Sequence, residues 1–234
     1  MNAPCFHKLF AVNPKDIKED VIITPYLNLE YFRKDKKSRI DKGMLFEVLT
    51  EKYFSVIKTG IGHSFVGDAV VYLKNTPCKR LHFIGSCGSI SGLEIGDLVS
   101  VGKVLAWESF SDILNNKHNY FSIDTNNALL EKFLGFNKEI KLVNLATLGS
   151  LSLEESILEL LKQKEINTVD MEVSAFSSAA KFFKLPNLAL LYVTDIIKEK
   201  PFFRDLNKQE KEIIKESRRK AISLICQFIE SQTA

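Results

Sequence analysis

Short apolar runs alternate with longer amphipathic stretches along the sequence, and this alternation restricts the chain to a few fold classes. The runs 20–24, 54–59 and 80–84 are short and rich in β-branched and aromatic residues, which predicts buried strands. Segment 63–74 instead spaces its apolar residues by three and four, which predicts a helix. Strands that alternate with helices are typical of α/β proteins. We therefore expect a sheet covered by helices.

The second half of the chain continues this pattern. Further strands are predicted at 97–101, 141–146, 168–171 and 187–194. Helices are predicted at 153–164, 172–183 and 205–232. The first of these helices has Ser152 as its N-cap and carries Glu154 and Glu155 in its first turn, where acids complement the helix dipole. Because no internal repeat or low-complexity linker is present, we expect one α/β domain over residues 1–234.

The composition and charge exclude several other classes of protein. Hydrophobic residues make up 45% and charged residues 26% of the sequence, which excludes disorder, collagen and a simple coiled coil. A net charge of +3 is too small to predict binding to nucleic acid or to a membrane surface. No apolar run approaches the ~18 residues that span a bilayer, and the N-terminus lacks the apolar core of a signal peptide. We expect a soluble, cytoplasmic protein.

The sequence contains no pattern for a metal or a dinucleotide cofactor. Its four cysteines are far apart, without a CxxC pair or a histidine at metal-ligand spacing, which predicts reduced, mostly buried thiols. The small-residue segment 85–88 lacks the GxGxxG spacing of dinucleotide-binding proteins. We therefore expect neither a metal nor a cofactor.

Two segments of small residues follow predicted strands, at 59–62 and 85–89. The backbone amides of such turns can face an anion. Glycine that merely permits a tight turn explains the same pattern, and both interpretations stay open at this point.

Two carboxyl groups give a sharper signal. Glu172 opens a predicted helix directly after a strand, and Asp195 stands at the tip of the next apolar strand. Either acid alone is explained by a helix dipole or a turn. Together, within one β-α-β unit, they are expected to meet beyond the carboxyl ends of the strands, where ligands bind in open α/β sheets.

The order of these motifs resembles the nucleoside phosphorylase family, which includes purine nucleoside phosphorylase, uridine phosphorylase and methylthioadenosine/S-adenosylhomocysteine nucleosidase. Four segments carry the resemblance, in the order FIGSCG at 83–88, GDLV at 96–99, VDME at 169–172 and VTD at 193–195. The Ser-Cys-Gly form and the segment KGML at 42–45 are most similar to the bacterial purine nucleoside phosphorylase branch. The resemblance implies a three-layer α/β/α fold with a central mixed, partly barrel-like sheet.

The resemblance also implies roles for individual residues. Asp195 matches the aspartate that protonates or hydrogen-bonds N7 of a purine, and Glu172 matches the glutamate that accepts hydrogen bonds from the ribose hydroxyls. Met171 matches the residue that lies under the sugar. Ser86, Cys87 and Gly88 match the loop that lines the base and nucleophile sites. We add Gly62 of the first small-residue turn to the substrate site. His7 matches a histidine that would reach a neighbouring subunit's sugar.

The phosphate site departs from the family pattern. The phosphorylases carry a glycine and two arginines where this chain has Tyr26, Glu30 and Phe83. Phosphate is a dianion that requires charge-assisted donors. Lys42, which matches a neighbouring subunit's phosphate-binding arginine, and Ser86 remain as candidates.

The sequence therefore predicts an enzyme that breaks the N-glycosidic bond of a purine nucleoside. Asp195 is the expected acid, assisted by Arg204 or Lys208, between which the sequence does not choose. Phosphate and water both stay open as the acceptor of the ribosyl group. A non-catalytic nucleoside-binding relative is the alternative, favoured by the altered phosphate site. The family implies a nucleoside and inorganic phosphate as partners and a homo-oligomer (dimer, trimer or hexamer).

Overall fold

The computed structural model describes residues 3–232 of the chain, in which ten strands form one sheet. The strands are β1 (Asp20–Thr24), β2 (Ile40–Lys42), β3 (Glu47–Thr50), β4 (Phe54–Lys58), β5 (Arg80–Ser89), β6 (Leu98–Trp107), β7 (Phe121–Asp124), β8 (Lys141–Leu148), β9 (Thr168–Asp170) and β10 (Asn187–Ile196).

Seven α-helices and several short 3-10 turns connect the strands of the described chain. The helices are α1 (Ala3–Phe10), α2 (His63–Tyr72), α3 (Phe110–Leu114), α4 (Ala128–Phe136), α5 (Leu158–Gln163), α6 (Val173–Phe182) and α7 (Lys208–Ser231). The 3-10 turns are Pro14–Asp16, Leu29–Phe32, Leu73–Asn75, Leu151–Leu153 and Glu155–Ile157. Within residues 3–232, no helix has both the length and the apolar character needed to cross a bilayer.

The sheet is mixed and partly closed. Strand β10 pairs in parallel with β5 and antiparallel with β6. From β6 the pairing runs through β8 and β9 back to β5, so five strands form a closed ring. Strands β1, β4, β3 and β2 extend from β5 as an open wing. The expectation of a mixed, partly barrel-like sheet is confirmed.

Helices cover both faces of this sheet. One buried cluster joins α1, α2 and α6 to the sheet and includes Val66 and Phe176. A second joins α4 and α7 to the other face and includes Phe133 and Phe228, whose rings meet edge to face with centroids 5.2 Å apart. The apolar positions predicted for the long C-terminal helix therefore pack on the sheet, and the three-layer arrangement is confirmed.

The segment 85–89, which we expected to be a turn, lies inside β5. Gly85 pairs with Leu191 and Ser86 with Tyr192, so the strand continues through the small residues. Close packing explains their size, because a Cβ added at Gly85 would lie 2.8 Å from a ring atom of Phe83. Both interpretations assumed a turn at this segment, and that prediction is wrong, since these residues are part of a sheet ladder.

The helix predicted at 153–164 is shorter than expected. Two 3-10 turns occupy its first half, and α5 begins only at Leu158. The hydroxyl of Ser150, rather than that of Ser152, accepts the hydrogen bond of the first turn, from Ser152 N at 3.2 Å. Glu154 is buried instead of lying on an exposed first helical turn.

Candidate active site

A cavity of about 300 Å³ opens where β5, β9 and β10 end. This volume lies at the lower end of the range for small-molecule sites, about 300–1,000 Å³. Its wall includes six residues that the sequence singled out, namely Ser86, Cys87, Gly88, Met171, Glu172 and Asp195. The two carboxyl groups expected to meet beyond the strand ends do line one cavity.

Glu172 is held in place by backbone amides. It is the N-cap residue of α6 and is buried, and its Oε1 accepts a hydrogen bond of 2.7 Å from Gly62 N. Burial raises the pKa of Glu172, while the amides of Gly62 and Met171 oppose this rise. Gly62 does not line the cavity, and its N–H is donated to Glu172, so it positions a site residue; its contact with a substrate stays a prediction.

Asp195 stands at a bulge near the end of β10, where the pairing with β5 shifts between Val193 and Asp195. Thr194 Oγ1 donates a hydrogen bond of 2.8 Å to Asp195 Oδ1. Burial raises the pKa of Asp195, and the Thr194 hydroxyl and the charge of Arg204 partly oppose this rise. A bulge re-aims a side chain at a strand end, and here it directs a carboxyl group with an elevated pKa into the cavity.

Asp170 orients the start of α6. Its carboxylate accepts hydrogen bonds from Thr147 Oγ1 at 2.5 Å, Glu172 N at 3.0 Å and Val173 N at 2.7 Å. Burial and the neighbouring Glu172 raise the pKa of Asp170 to about 8, against the effect of these donors. Asp170 has no assigned role in the sequence analysis, although an acid just before a predicted helix is a signal for a cap.

Glu154 adds a further carboxyl group to the cavity wall. It is 7% exposed, and its carboxyl group has no hydrogen-bond partner among residues 3–232, although its backbone carbonyl accepts from Ile157 N at 3.3 Å. Burial and the charges of Asp195 and Asp170 raise the pKa of Glu154 to about 8. Sequence reasoning missed this residue because it assigned Glu154 to an exposed helical turn.

A pair of phenols and an arginine form another part of the wall. The hydroxyl oxygens of Tyr26 and Tyr192 are 2.7 Å apart. Arg218 reaches the cavity from α7, with its guanidinium carbon 4.8 Å from the ring centre of Tyr31. Burial raises the pKa of both cavity phenols, so they stay protonated at neutral pH. Nothing in the local sequence pattern marks Tyr192 or Arg218.

Besides Gly62, four residues selected from the sequence lie outside the cavity wall of this chain, namely His7, Lys42, Arg204 and Lys208. His7 and Lys208 are exposed on α1 and α7, and Lys42 ends the edge strand β2. The resemblance assigned His7 and Lys42 to a neighbouring subunit's site, and for both this stays a prediction.

Of the two candidate basic residues, Arg204 is the one whose charge acts on Asp195. Its guanidinium also donates to both carboxylate oxygens of Glu210, at 2.7 and 2.9 Å. Lys208 is exposed at the first residue of α7, and the assisting role of either residue stays a prediction.

The positions that hold phosphate-binding arginines in the family have other surroundings in this chain. Phe83 is fully buried and packs on Phe176, with ring centroids 5.4 Å apart. Glu30 lies outside the cavity wall and pairs with Arg33 at 3.1 Å. Among residues 3–232, no group of three histidine, cysteine or acidic side chains is arranged to hold a metal ion.

Comparison with known proteins identifies one matching family model, described as the phosphorylase superfamily, over residues 13–230. No curated protein matches the chain by sequence.

Several solved structures share the fold. A 5'-methylthioadenosine/S-adenosyl homocysteine nucleosidase from Campylobacter jejuni is 18% identical, with a TM-score of 0.72 and coverage of 92% of this chain and 99% of that chain. A uridine phosphorylase from Vibrio fischeri is 17% identical, with a TM-score of 0.75 and coverage of 94% and 93%. A futalosine hydrolase from Helicobacter pylori is 15% identical, with a TM-score of 0.70 and coverage of 92% and 98%.

Proposed function

Because the chain belongs to the phosphorylase superfamily, we propose that it cleaves the N-glycosidic bond of a purine nucleoside. The observation that carries this proposal is that Glu172 and Asp195 line a single cavity. Backbone amides hold Glu172 in place, and Asp195 lies at a bulge and has an elevated pKa. Such a pair suits a reaction that needs one group to hold the sugar and another to protonate the leaving base.

In the proposed reaction, the bond between C1′ and the base nitrogen breaks and its electron pair moves into the base. Asp195 donates its proton to N7, so the base leaves as a neutral molecule. The Glu172 carboxylate accepts hydrogen bonds from the ribose hydroxyls and favours the positive charge that develops on the sugar. An acceptor oxygen then bonds to C1′, and when the acceptor is water it releases a proton.

The choice of a purine rests on the carboxyl groups beside Asp195. N7 and the 6-substituent lie on one edge of a purine, and Glu154 is close enough to Asp195 for the two charges to interact. The Glu154 carboxyl group, whose oxygens have no partner in the described chain, can form a hydrogen bond with the base at that edge. Leu151, from the same turn region, offers an apolar surface in the cavity wall.

The acceptor is water or phosphate, the two that the resemblance left open. Tyr26 in the cavity wall and Phe83 in the core, at positions where the phosphorylases bind phosphate, favour water or an anion site built from other residues. We also propose that the active form is a homo-oligomer in which His7 and Lys42 approach a neighbouring site. Ile61, which lines the cavity and is 62% exposed, offers an apolar surface for such a contact.

The competing proposal is a nucleoside-binding protein without turnover, which the altered phosphate site favours. One experiment separates these possibilities: purine and pyrimidine nucleosides are incubated with the full chain, with and without inorganic phosphate, and released base is measured by chromatography. We expect release of purine bases. Strict dependence on phosphate would exclude water as acceptor, and purine binding without release of base from any nucleoside would overturn the enzymatic proposal.

A further inference from the structure

Part of the cavity wall presents a cation and hydroxyl groups. Arg218, Tyr26, Tyr192 and Ser86 all line the cavity. The charge of Arg218 acts on Tyr192, whereas the pKa of Glu154 responds to Asp195 and Asp170. The cavity wall therefore carries a cation and hydroxyl groups as well as carboxyl groups.

The Arg218 guanidinium forms no salt bridge within residues 3–232, and its carbon lies 4.8 Å from the ring centre of Tyr31. Its Nε is buried without a hydrogen-bond acceptor. This cation at the cavity wall has no carboxylate partner and a buried donor without an acceptor. An anion that supplies the acceptor would therefore bind there favourably.

The two phenols supply further donors. Of the two O–H groups of Tyr26 and Tyr192, only one can donate across the 2.7 Å between their oxygens. The other is left to donate elsewhere, and the Ser86 hydroxyl is close enough to Tyr26 to influence its pKa. Because Glu172 also acts on Tyr26, this donor region adjoins the position proposed for the sugar.

We infer that Arg218, with the hydroxyls of Tyr26, Tyr192 and Ser86, forms a subsite for a small oxyanion. The guanidinium comes from α7, a different element from those that carry the phosphate-binding residues of the phosphorylases. In this chain the corresponding positions are occupied by Phe83, buried in the core, and Glu30, outside the cavity.

Two molecules can supply the oxyanion, and both alternatives rest on the proposed function. Inorganic phosphate can be the acceptor, in which case one of its oxygens bonds to C1′ as the bond from C1′ to the base breaks, and the base leaves with the proton from Asp195. Alternatively the oxyanion is a carboxylate carried by the nucleoside itself, which then takes no part in bond making.

Titration calorimetry with inorganic phosphate tests the subsite without requiring turnover. The full chain is compared with Arg218→Gln, Arg218→Lys and the matched control Arg219→Gln, whose side chain is exposed on the same helix. We expect the wild type and Arg219→Gln to bind phosphate alike and Arg218→Gln to bind about 10- to 100-fold more weakly, as for loss of a charge-assisted pair. Arg218→Lys is expected in between, since an ammonium lacks the bidentate fork.

A second arm distinguishes the source of the anion. Binding of a nucleoside with a 5′-carboxylate is compared with binding of the matching 5′-alcohol, and a preference for the acid that disappears in Arg218→Gln identifies the nucleoside as the source. The inference is overturned if Arg218→Gln matches Arg219→Gln for both ligands, or if the wild type binds neither anion. Thermal denaturation checks folding, and the lysine variant decides if the glutamine variant does not fold. Anion binding that depends on Arg218 without any base release would defeat only the proposed reaction.

Discussion

Burial raises the pKa of four carboxyl groups around one cavity, and their neighbours then give them different roles. Backbone amides hold Glu172, three donors hold Asp170, and Asp195 keeps one hydroxyl partner. The Glu154 carboxyl group has no hydrogen-bond partner within residues 3–232. Burial raises the pKa of Asp170 and of Glu154 to about 8, but the oxygens of Asp170 already accept from three protein donors. Asp195 and Glu154 have fewer protein partners, and they are the groups suited to donate a proton or to pair with a base.

Replacing Asp195 with asparagine removes the proposed proton donor while keeping the shape of the side chain. We expect kcat to fall about 10²- to 10⁴-fold, the usual contribution of a general acid, with little change in nucleoside affinity. Because wild-type Asp195 must be protonated to act, kcat should decline as pH rises through its elevated pKa, and the variant should lack that decline. Asp68→Asn, exposed on α2, serves as the control. An Asp195→Asn enzyme with normal kcat would exclude this role.

Replacing Glu172 with glutamine tests the proposed contact with the sugar. A hydrogen bond to a charged acceptor contributes about 1.5–3 kcal/mol, so kcat/KM should fall about 10- to 100-fold. We also expect the ratio of kcat/KM between ribonucleosides and 2′-deoxyribonucleosides to shrink, because the lost acceptor no longer discriminates between them. Steady-state kinetics with both sugars measure this ratio. Glu131→Gln, exposed on α4, should change neither value, and an unchanged ratio in Glu172→Gln would place the sugar elsewhere.

Strands β5, β9 and β10 approach so closely at the cavity that one position tolerates no side chain. A Cβ built on Gly88 would lie 2.8 Å from Asp195 Oδ2 and 3.3 Å from Val169 Cγ2. Gly88 pairs with Asp195 across β5 and β10 and with Val169 across β5 and β9. The absence of a side chain at Gly88 is therefore what allows the Asp195 carboxyl group to occupy its position.

Gly88→Ala is accordingly expected to displace the Asp195 carboxyl group and to strain the junction of the three strands. We expect activity to fall about 10²-fold, as for a misplacement of about 1 Å, and stability to fall by about 1–3 kcal/mol through overpacking. Gly135→Ala is the matched change, since no atom lies within 4 Å of the added Cβ on α4. That variant should gain about 0.4–1 kcal/mol in urea unfolding. Full activity in Gly88→Ala would contradict the packing argument.

Across the whole molecule, some ionisable groups increase the folding stability as the pH rises and others decrease it. Burial disfavours the Asp20 carboxylate, but hydrogen bonds with Arg80 and His82 outweigh this and lower its pKa. The Arg204 hydrogen bonds lower the pKa of Glu210 to about 2. Both groups therefore stabilise the fold above the pKa of the unfolded chain, and this stabilisation is lost as the pH falls. Glu154 and Asp170 act in the opposite direction, because their pKa values are raised.

Glu154→Gln should therefore stabilise the protein at alkaline pH. With a pKa of about 8 in the folded protein, Glu154 keeps a proton that the unfolded chain has already released, so folding stability falls as pH rises from its ordinary pKa toward 8. We expect the variant to be more stable than the wild type by on the order of 1–3 kcal/mol at pH 8, since one pKa unit equals about 1.4 kcal/mol. The difference should shrink toward zero near pH 4.5.

Urea unfolding at several pH values measures this difference, and Glu131, exposed on α4, supplies the control. Glu131→Gln should show no gain that grows with pH. An equal gain for Glu154→Gln at pH 5 and pH 8 would mean that the buried carboxyl group is not the cause.

Local patterns predicted most elements of the fold. The run 20–24 is β1 with the same bounds, and the helix predicted at 172–183 is α6 within one residue at each end. These succeed because strand and helix periodicity are properties of neighbouring residues. The predictions were wrong for segment 85–89 and for the turns before α5. The conformation of the small residues in β5 and the burial of Glu154 depend on contacts with distant segments, which a local pattern does not contain.

The sequence by itself determined the α/β class, the order of the motifs and the pair of acids, Glu172 and Asp195, at the ends of two strands that are consecutive in the chain. Only the tertiary structure decided that Glu154, Tyr192 and Arg218 line the same cavity. The physical reason is the closure of the sheet, in which β10 pairs with both β5 and β6 and α7 then packs along β10. Which side chains face the resulting space depends on a bulge, a glycine and helix packing between segments far apart in the chain, and no local pattern contains that information.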